Sequence, residues 1–133
     1  MKSFEVQTAK RTQCIDITAE VRQAVRDAGL ASGIVVIYCP HTTAAITIQE
    51  NADPDVVHDL LYWLNHNIPK DAAGFRHDED NSDAHIKSSL VGCSETLIVE
   101  NGDLVLGRWQ GIYFCEFDGP RTRTVMMQTI GNR

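Results

Sequence analysis

The segment Gly33–Cys39, GIVVIYC, limits this chain more than any other stretch of it. Four of its seven residues are β-branched, and such side chains fit a pleated surface better than a crowded helix turn. A run of this length without polar alternation is the pattern of a strand covered on both faces. The rest of the chain therefore has to supply layers to pack on it.

Those layers are legible on either side. Phe4, Val6 and Thr8 alternate with polar residues, and Cys14, Ile15 and Ile17 follow a polar break, predicting two strands. Thr18 is placed to cap a helix whose Val21, Ala24, Val25 and Ala28 recur at helical spacing, with Gly29 as its stop. AAITIQE, residues 44–50, alternates as a half-buried strand. Asp53–Pro54 opens a second helix, because Asp accepts from free N–H groups and proline at the first position has none to leave unpaired. Val57, Leu60, Leu61 and Leu64 are its apolar stripe.

Residues 70–83 read as a polar loop. Ser82 or Asp83 is predicted to cap a short third helix that turns Ile86 and Leu90 inward, ends at Gly92, and carries His85 and Ser89 on one face. Asn101-Gly102 between two apolar runs is a hairpin signal, since both residues tolerate positive φ. GIYFCEF and RTVMMQTI add two strands. These elements predict one α+β domain over residues 1–133, a mixed or mostly antiparallel sheet system packed with two main helices and a short third. The surplus of apolar strands also points to self-association.

A formal net charge of -6 argues against a broad nucleic-acid footprint, which needs clustered Lys and Arg. The N-terminal MKSFEVQTAKRTQ lacks an apolar leader run, and no segment approaches the roughly 20 apolar residues of a membrane span. The expectation is a soluble, cytoplasmic protein with no nucleic-acid or membrane partner. Cys14, Cys39, Cys93 and Cys115 show no metal-knuckle spacing and read as reduced, mostly buried small residues.

Neutral imidazole is a good ligand for zinc-like ions, so His41, His77 and His85, all at element ends or in the polar loop, form a candidate cluster. Local hydrogen bonding is the competing reading. His58 and His66 fall near the polar face of the second helix. Asp78, Glu79, Asp80 and Asp83 lack the alternation and central glycine of a calcium loop and read as solvated acids.

In CEFDGPRTR, Asp118-Gly119-Pro120 is a sharp turn after which Arg121 and Arg123 share one side of a strand. Two forked guanidinium groups suit an oxyanion such as phosphate; salt bridges to the protein's own carboxylates are the alternative. Trp109 beside Gln110, between Gly107 and Gly111, reads either as a core aromatic or as a flat surface for a ring, oriented by Gln110. Covalent catalysis by Cys115 has no identifiable base.

Taken together, HTTAAITIQENADPDVVHDL, AHIKSSLVG and NGDLVLGRWQGIYFCEFDGPR resemble the YjbQ-like family, often labelled secondary thiamine-phosphate synthase. The resemblance covers nearly the whole chain; the one departure is Arg108, where the family commonly has threonine before the tryptophan. It implies a compact α+β fold, a homotrimer, and a pocket whose imidazoles are His41, His77 and His85 with Glu116 as carboxylate neighbour. Asn51, Asp53, Ser89, Gln110 and Arg121 match family positions, and Arg123 continues the basic side. A divalent metal, zinc or magnesium, on the three histidines is implied, with no organic cofactor.

The implied reaction is a transfer that joins a pyrimidine diphosphate to a thiazole phosphate with release of pyrophosphate. His41, His85 and Glu116 would then be catalytic, Arg121, Arg123 and Lys87 would neutralise the diphosphate, and Trp109 would face a ring. Two alternatives have the same small phosphorylated partner: a metal-dependent hydrolase of a phosphate ester, and a noncatalytic binding protein for an anionic metabolite.

Overall fold

The GIVVIYC run lies at the centre of a five-stranded antiparallel sheet. The computed structural model describes residues 1–133. In chain order the elements are β1 (Lys2–Gln7), β2 (Gln13–Asp16), α1 (Thr18–Asp27), β3 (Ser32–Tyr38), β4 (Ala44–Glu50), α2 (Pro54–Asn67), α3 (Ser82–Val91), β5 (Ser94–Glu100), β6 (Asp103–Leu104), β7 (Gln110–Glu116) and β8 (Thr122–Asn132). One sheet has the order β1-β8-β3-β5-β6 and the other β2-β7-β4. All six strand pairings are antiparallel, so the fold is α+β.

Alternation along each strand divides the interior in two. Val35, Ile37, Leu97, Val99, Val125 and Met127 of the larger sheet face Ile46, Ile112 and Phe114 of the smaller, and the Val21–Ala24–Val25 stripe of α1 joins this cluster. The opposite face of the smaller sheet presents Ala45, Tyr113 and Cys115 to Leu64 of α2 and Ala84 of α3. Burying these apolar surfaces supplies the main driving force for folding. Of the predicted N-terminal caps only Asp53 is realised, its side chain accepting from Asp55 N–H at 2.9 Å; α3 follows Asn81 with no side-chain cap, in place of Ser82 or Asp83, and in the predicted turn Asn101 and Gly102 adopt φ of 51° and 77°. At α1 the capping acceptor is Asp16, whose Oδ1 takes both the N–H and the hydroxyl of Thr18.

Two expectations need correction. Only one face of β3 is buried within the chain; no helix lies on the outer face of its sheet, where Ile34 pairs with Ile98 and Ile130 across the neighbouring strands. Ile98 and Ile130 are 58% and 59% exposed. In α3, Ile86 and Leu90 point outward, and the helix instead buries Asp83, Ala84, Lys87 and Ser88. Its polar underside is stable because every group is partnered. Asp83 takes both guanidinium nitrogens of Arg11 at 3.0 and 2.9 Å and Lys87 Nζ at 2.9 Å. Lys87 also donates to Asn65 Oδ1, and the Ser88 hydroxyl donates to Ala44 O. Apolar periodicity cannot foresee a helix held down by paired charge.

Burial alone would raise the Asp83 pKa, but Arg11 and Lys87 outweigh it and hold the carboxyl down to about 2. Its stabilising contribution is complete above the unfolded-state value of about 4 and is lost as pH falls through about 2. Asp83→Asn should cost about 3–5 kcal/mol in urea unfolding at pH 7, because it strands Lys87. The gap to wild type should narrow as pH drops from about 4 toward 2. A gap below about 1 kcal/mol at pH 7 would show that the buried triad does not hold α3.

Candidate functional site

The Pro40–Thr43 segment, the start of α3 and the turn after β7 meet at one end of the two-sheet interface. They enclose a hollow of about 300 Å³ with no hydrophobic residue in its wall. Its principal groups are His41, Asn81, His85, Asp118, Arg121 and Arg123. Each is placed by its element. His41 follows the end of β3, His85 lies on the second turn of α3, and the arginines flank the first residue of β8. The tight turn between β7 and β8 needs Gly119, since a Cβ there would lie 2.3 Å from Lys10 O and 2.9 Å from Thr8 Oγ1.

Beneath the hollow, Arg123 and Glu116 face each other between the sheets, with side-chain exposures of 5% and 0%. The guanidinium holds both carboxylate oxygens. Arg123 donates further to Thr43 Oγ1, while Glu116 accepts from the Thr8 hydroxyl and Asp118 N–H. Burial pushes the Glu116 pKa up, but the hydrogen bonds from Arg123 and Thr8 prevail and leave it below the ordinary carboxylate value. Arg121 donates to Asp118 O and Oδ2 at 2.8 and 2.9 Å and remains half exposed at the rim. Both arginines therefore adopt the salt-bridged alternative, although both still line the hollow.

His41 is fixed in an unusual way. Its Nε2 accepts the backbone N–H of Thr124 at 2.9 Å. A nitrogen that accepts cannot carry a proton, so the neutral ring bears its single N–H at Nδ1. Burial, and then the charge of Arg123, lower its pKa below the ordinary histidine value. The Thr124 bond acts in the same sense, because protonating Nε2 would break it. His85 differs: it is half-buried, its ring makes no hydrogen bond to the protein, and its nearest aromatic neighbour is His77, edge-on at 5.3 Å. Asn81 donates to Asp118 Oδ2, but its own Oδ1 is the one buried side-chain nitrogen or oxygen without a partner. Lying at the wall of the hollow, it calls for a donor from within it, a water or a ligand group.

The remaining predicted residues do not converge here. His77 is exposed, 3.6 Å from Glu79, and lines an adjoining hollow. Ser89 donates to His85 O within its own helix, beside a second opening shared by His41 and His85. With His41 Nε2 engaged, the three histidines do not fit a common metal, and no group of three His, Cys, Asp or Glu in the chain is arranged to hold one. Lys87 is buried on Asp83 and unavailable to a diphosphate.

Asn51, Asp53, Trp109 and Gln110 lie at the other end of the smaller sheet. Ala44 pairs with Glu116 at one end and Glu50 with Gln110 at the other. Six residue steps of about 3.3 Å separate those ends by about 20 Å. There Asn51 donates to Asp16 Oδ2, Gln110 Oε1 accepts Gly107 N–H, and the Arg108 guanidinium sits 4.7 Å over the Trp109 ring. Thr43, Asn81 and Asp118 were missed as wall residues, because the neutral Thr43 and Asn81 carry no periodic or motif signal and Asp118 reads as part of a turn.

An antiparallel two-sheet α+β domain with a wholly polar hollow at one end of its core defines the class. The UPF0047 YjbQ-like family model matches residues 2–132, and the chain belongs to that family. It is 54% identical to the UPF0047 protein YugU of Bacillus subtilis over 98% of this chain and 99% of that one. A Clostridium acetobutylicum protein described as uncharacterized and conserved superposes with a TM-score of 0.95 at 52% identity, covering 98% of this chain and 100% of that one. A Sulfolobus solfataricus structure does so at 0.93 and 30% identity, over 98% and 96% of the two chains, and is described as of unknown function.

The thiamine-phosphate transfer implied by the resemblance is thereby corrected. These relatives are described only by their family or as of unknown function, so nothing in them supports such an activity, and neither alternative reading gains support from them. The structure agrees, since Trp109 is remote from the arginines and Lys87 is buried. No helix of the chain is long and apolar enough to cross a membrane.

Nitrogen-15 NMR of the native protein should show His41 as the Nδ1–H tautomer, taking up its second proton at lower pH than an ordinary histidine. Because the unfolded chain would take up that proton first, His41 contributes full stability above its ordinary value of about 6.5 and loses it as pH falls. An Nε2–H pattern would contradict the assignment.

Proposed function

We propose that the hollow is an acid–base site for a small phosphorylated molecule. The carrying observation is the contrast between its two imidazoles. His41 is held by Thr124 as a neutral donor, whereas His85 has both ring nitrogens free of protein partners. A fixed neutral N–H polarises an oxygen without giving up its proton, and an imidazole with both nitrogens unengaged is available to take a proton from a ligand and return it. His41 is thus the orienting donor and His85 the proton carrier. Glu116 acts indirectly by holding Arg123 in place.

The charge balance supports a ligand with a single acidic group. Arg123 is neutralised by Glu116, and Arg121 is shared with Asp118 while exposing one edge at the rim. That edge and the His41 N–H make a weak, mixed anion seat rather than a diphosphate clamp. The test is a panel of small phosphorylated aldehydes and ketones in deuterated buffer, followed by proton and phosphorus NMR. The protein should catalyse deuterium uptake into one of them, and His85→Ala should slow this by about 10²–10⁴-fold while leaving the phosphorus shift change on binding. His41→Ala should weaken binding itself. Uptake by His85→Ala at the wild-type rate would refute the assignment.

We also propose that the chain is a homo-oligomer joined through the outer face of the larger sheet. The bare Ile98–Ile34–Ile130 row supports this, since soluble proteins rarely leave contiguous apolar strands in water. The trimer implied by family resemblance is the stoichiometry we propose. Light scattering should give a multiple of 14.8 kDa, and Ile98→Lys with Ile130→Lys should reduce it to one chain. A wild-type monomer would exclude this interface.

A further inference from the structure

All four cysteines are brought into cross-strand pairs by a topology that their sequence spacing does not reveal. Cys14 of β2 lies opposite Cys115 of β7. Cys39 donates its backbone N–H to Cys93 O at 2.7 Å, just past the paired ends of β3 and β5. The two pairs differ in kind. Between β2 and β7 the ladder continues with Ile17 N–H donating to Ile112 O, so the hydrogen-bonded positions are the odd residues of β2. Cys14 and Cys115 therefore occupy a non-hydrogen-bonded position, where opposed Cα atoms approach to about 4.5 Å and side chains are closest. Their sulfurs lie 3.8 Å apart. Cys39 and Cys93 sit at a hydrogen-bonded position, and the Cys39 sulfur turns toward His41 O at 3.9 Å.

We infer that Cys14 and Cys115 form a reversible intrachain disulfide, a redox modification site tying β2 to β7 one residue from Glu116. A Cα separation of about 4.5 Å falls within the range that a disulfide spans without backbone movement. The chemistry of the two thiols fits an attacking and a resolving role. Cys14 is half-buried and can be reached from solvent, whereas Cys115 is fully buried. The contact with Cys115 lowers the Cys14 pKa against the effect of burial, and the same contact together with burial raises that of Cys115. Cys14 is thus the thiolate that attacks first.

With a small disulfide such as oxidised glutathione as oxidant, the Cys14 thiolate attacks one of its sulfurs and expels a glutathione thiolate, which takes up the proton lost by Cys14. The Cys115 sulfur then attacks Cys14 Sγ, expels the second glutathione thiolate and passes its own proton to it. Two protein thiols are oxidised to one disulfide, and one small disulfide is reduced to two thiols.

The test uses the full chain carrying Cys93→Ser, which removes the exposed thiol. After treatment with oxidised glutathione, intact mass should show the loss of two hydrogens rather than a retained glutathione. Free thiols should fall from three to one, leaving Cys39, and peptide mapping should join Cys14 to Cys115. The oxidised form should melt several degrees higher and revert on reduction, because the link closes a long loop in the unfolded chain. Adding Cys115→Ser should stop the reaction at a glutathione adduct on Cys14. A stable adduct on Cys14 with Cys115 present would overturn the inference. So would an unchanged mass under conditions that oxidise the same protein in denaturant.

Discussion

The Glu116–Arg123 pair is the interaction on which the organisation of this domain turns. It joins the two sheets at the one place where their interface is polar. Glu116 comes from the central strand of the smaller sheet and Arg123 from β8 of the larger, and Thr8 and Thr43 complete the remaining hydrogen bonds. Two charges withdrawn from water are tolerated only when each is paired and its other donors and acceptors are filled. That condition is met here. The pair also determines where the β7–β8 turn lies, through the bond from Asp118 N–H to Glu116, and hence where Arg121 and the hollow above it can be.

The hollow inherits its chemistry from this clamp. Because Arg123 is neutralised from below, its guanidinium lowers the His41 pKa without offering a free charge to a ligand. Thr124, the residue after Arg123, supplies the N–H that fixes the His41 tautomer. One strand segment thus holds the inter-sheet bridge and the orientation of the imidazole. The second polar anchor, Arg11–Asp83–Lys87, does the same for α3 and carries His85 to the rim opposite His41. Both anchors are buried charge: Asp83 read as a solvated acid and Lys87 as a ligand contact, whereas for Arg123 a salt bridge was already the alternative to an anion seat.

Much of the fold was readable locally. The alternation in AAITIQE, the Asp53–Pro54 helix start and the Asn101-Gly102 turn are signals complete within a few residues, and each is realised in place. Readings that required knowledge of what lies opposite went astray. Lys87 and Asp83 are buried because Arg11 and Asn65 meet them from remote segments, so Ile86 and Leu90 are turned outward. Trp109 and Gln110 carried a strong local pattern, yet the β4–β7 register puts them at the far end of the sheet from Glu116.

What the sequence determined by itself was the alphabet of elements and the identity of the groups able to do chemistry: strands with their period, helix starts, one hairpin, and His41, His85, Arg121 and Arg123 as candidates. Those depend on side-chain shape and on neighbours within a turn or two. Tertiary structure alone decided the state of each group. The proton on His41 is placed by the backbone of Thr124, 83 residues away in the chain. The charge of Arg123 is cancelled across the sheet interface, and Cys14 meets Cys115 only because two strands pair in one register. Protonation, pairing and proximity are set by distances in space, and one-dimensional spacing does not encode them.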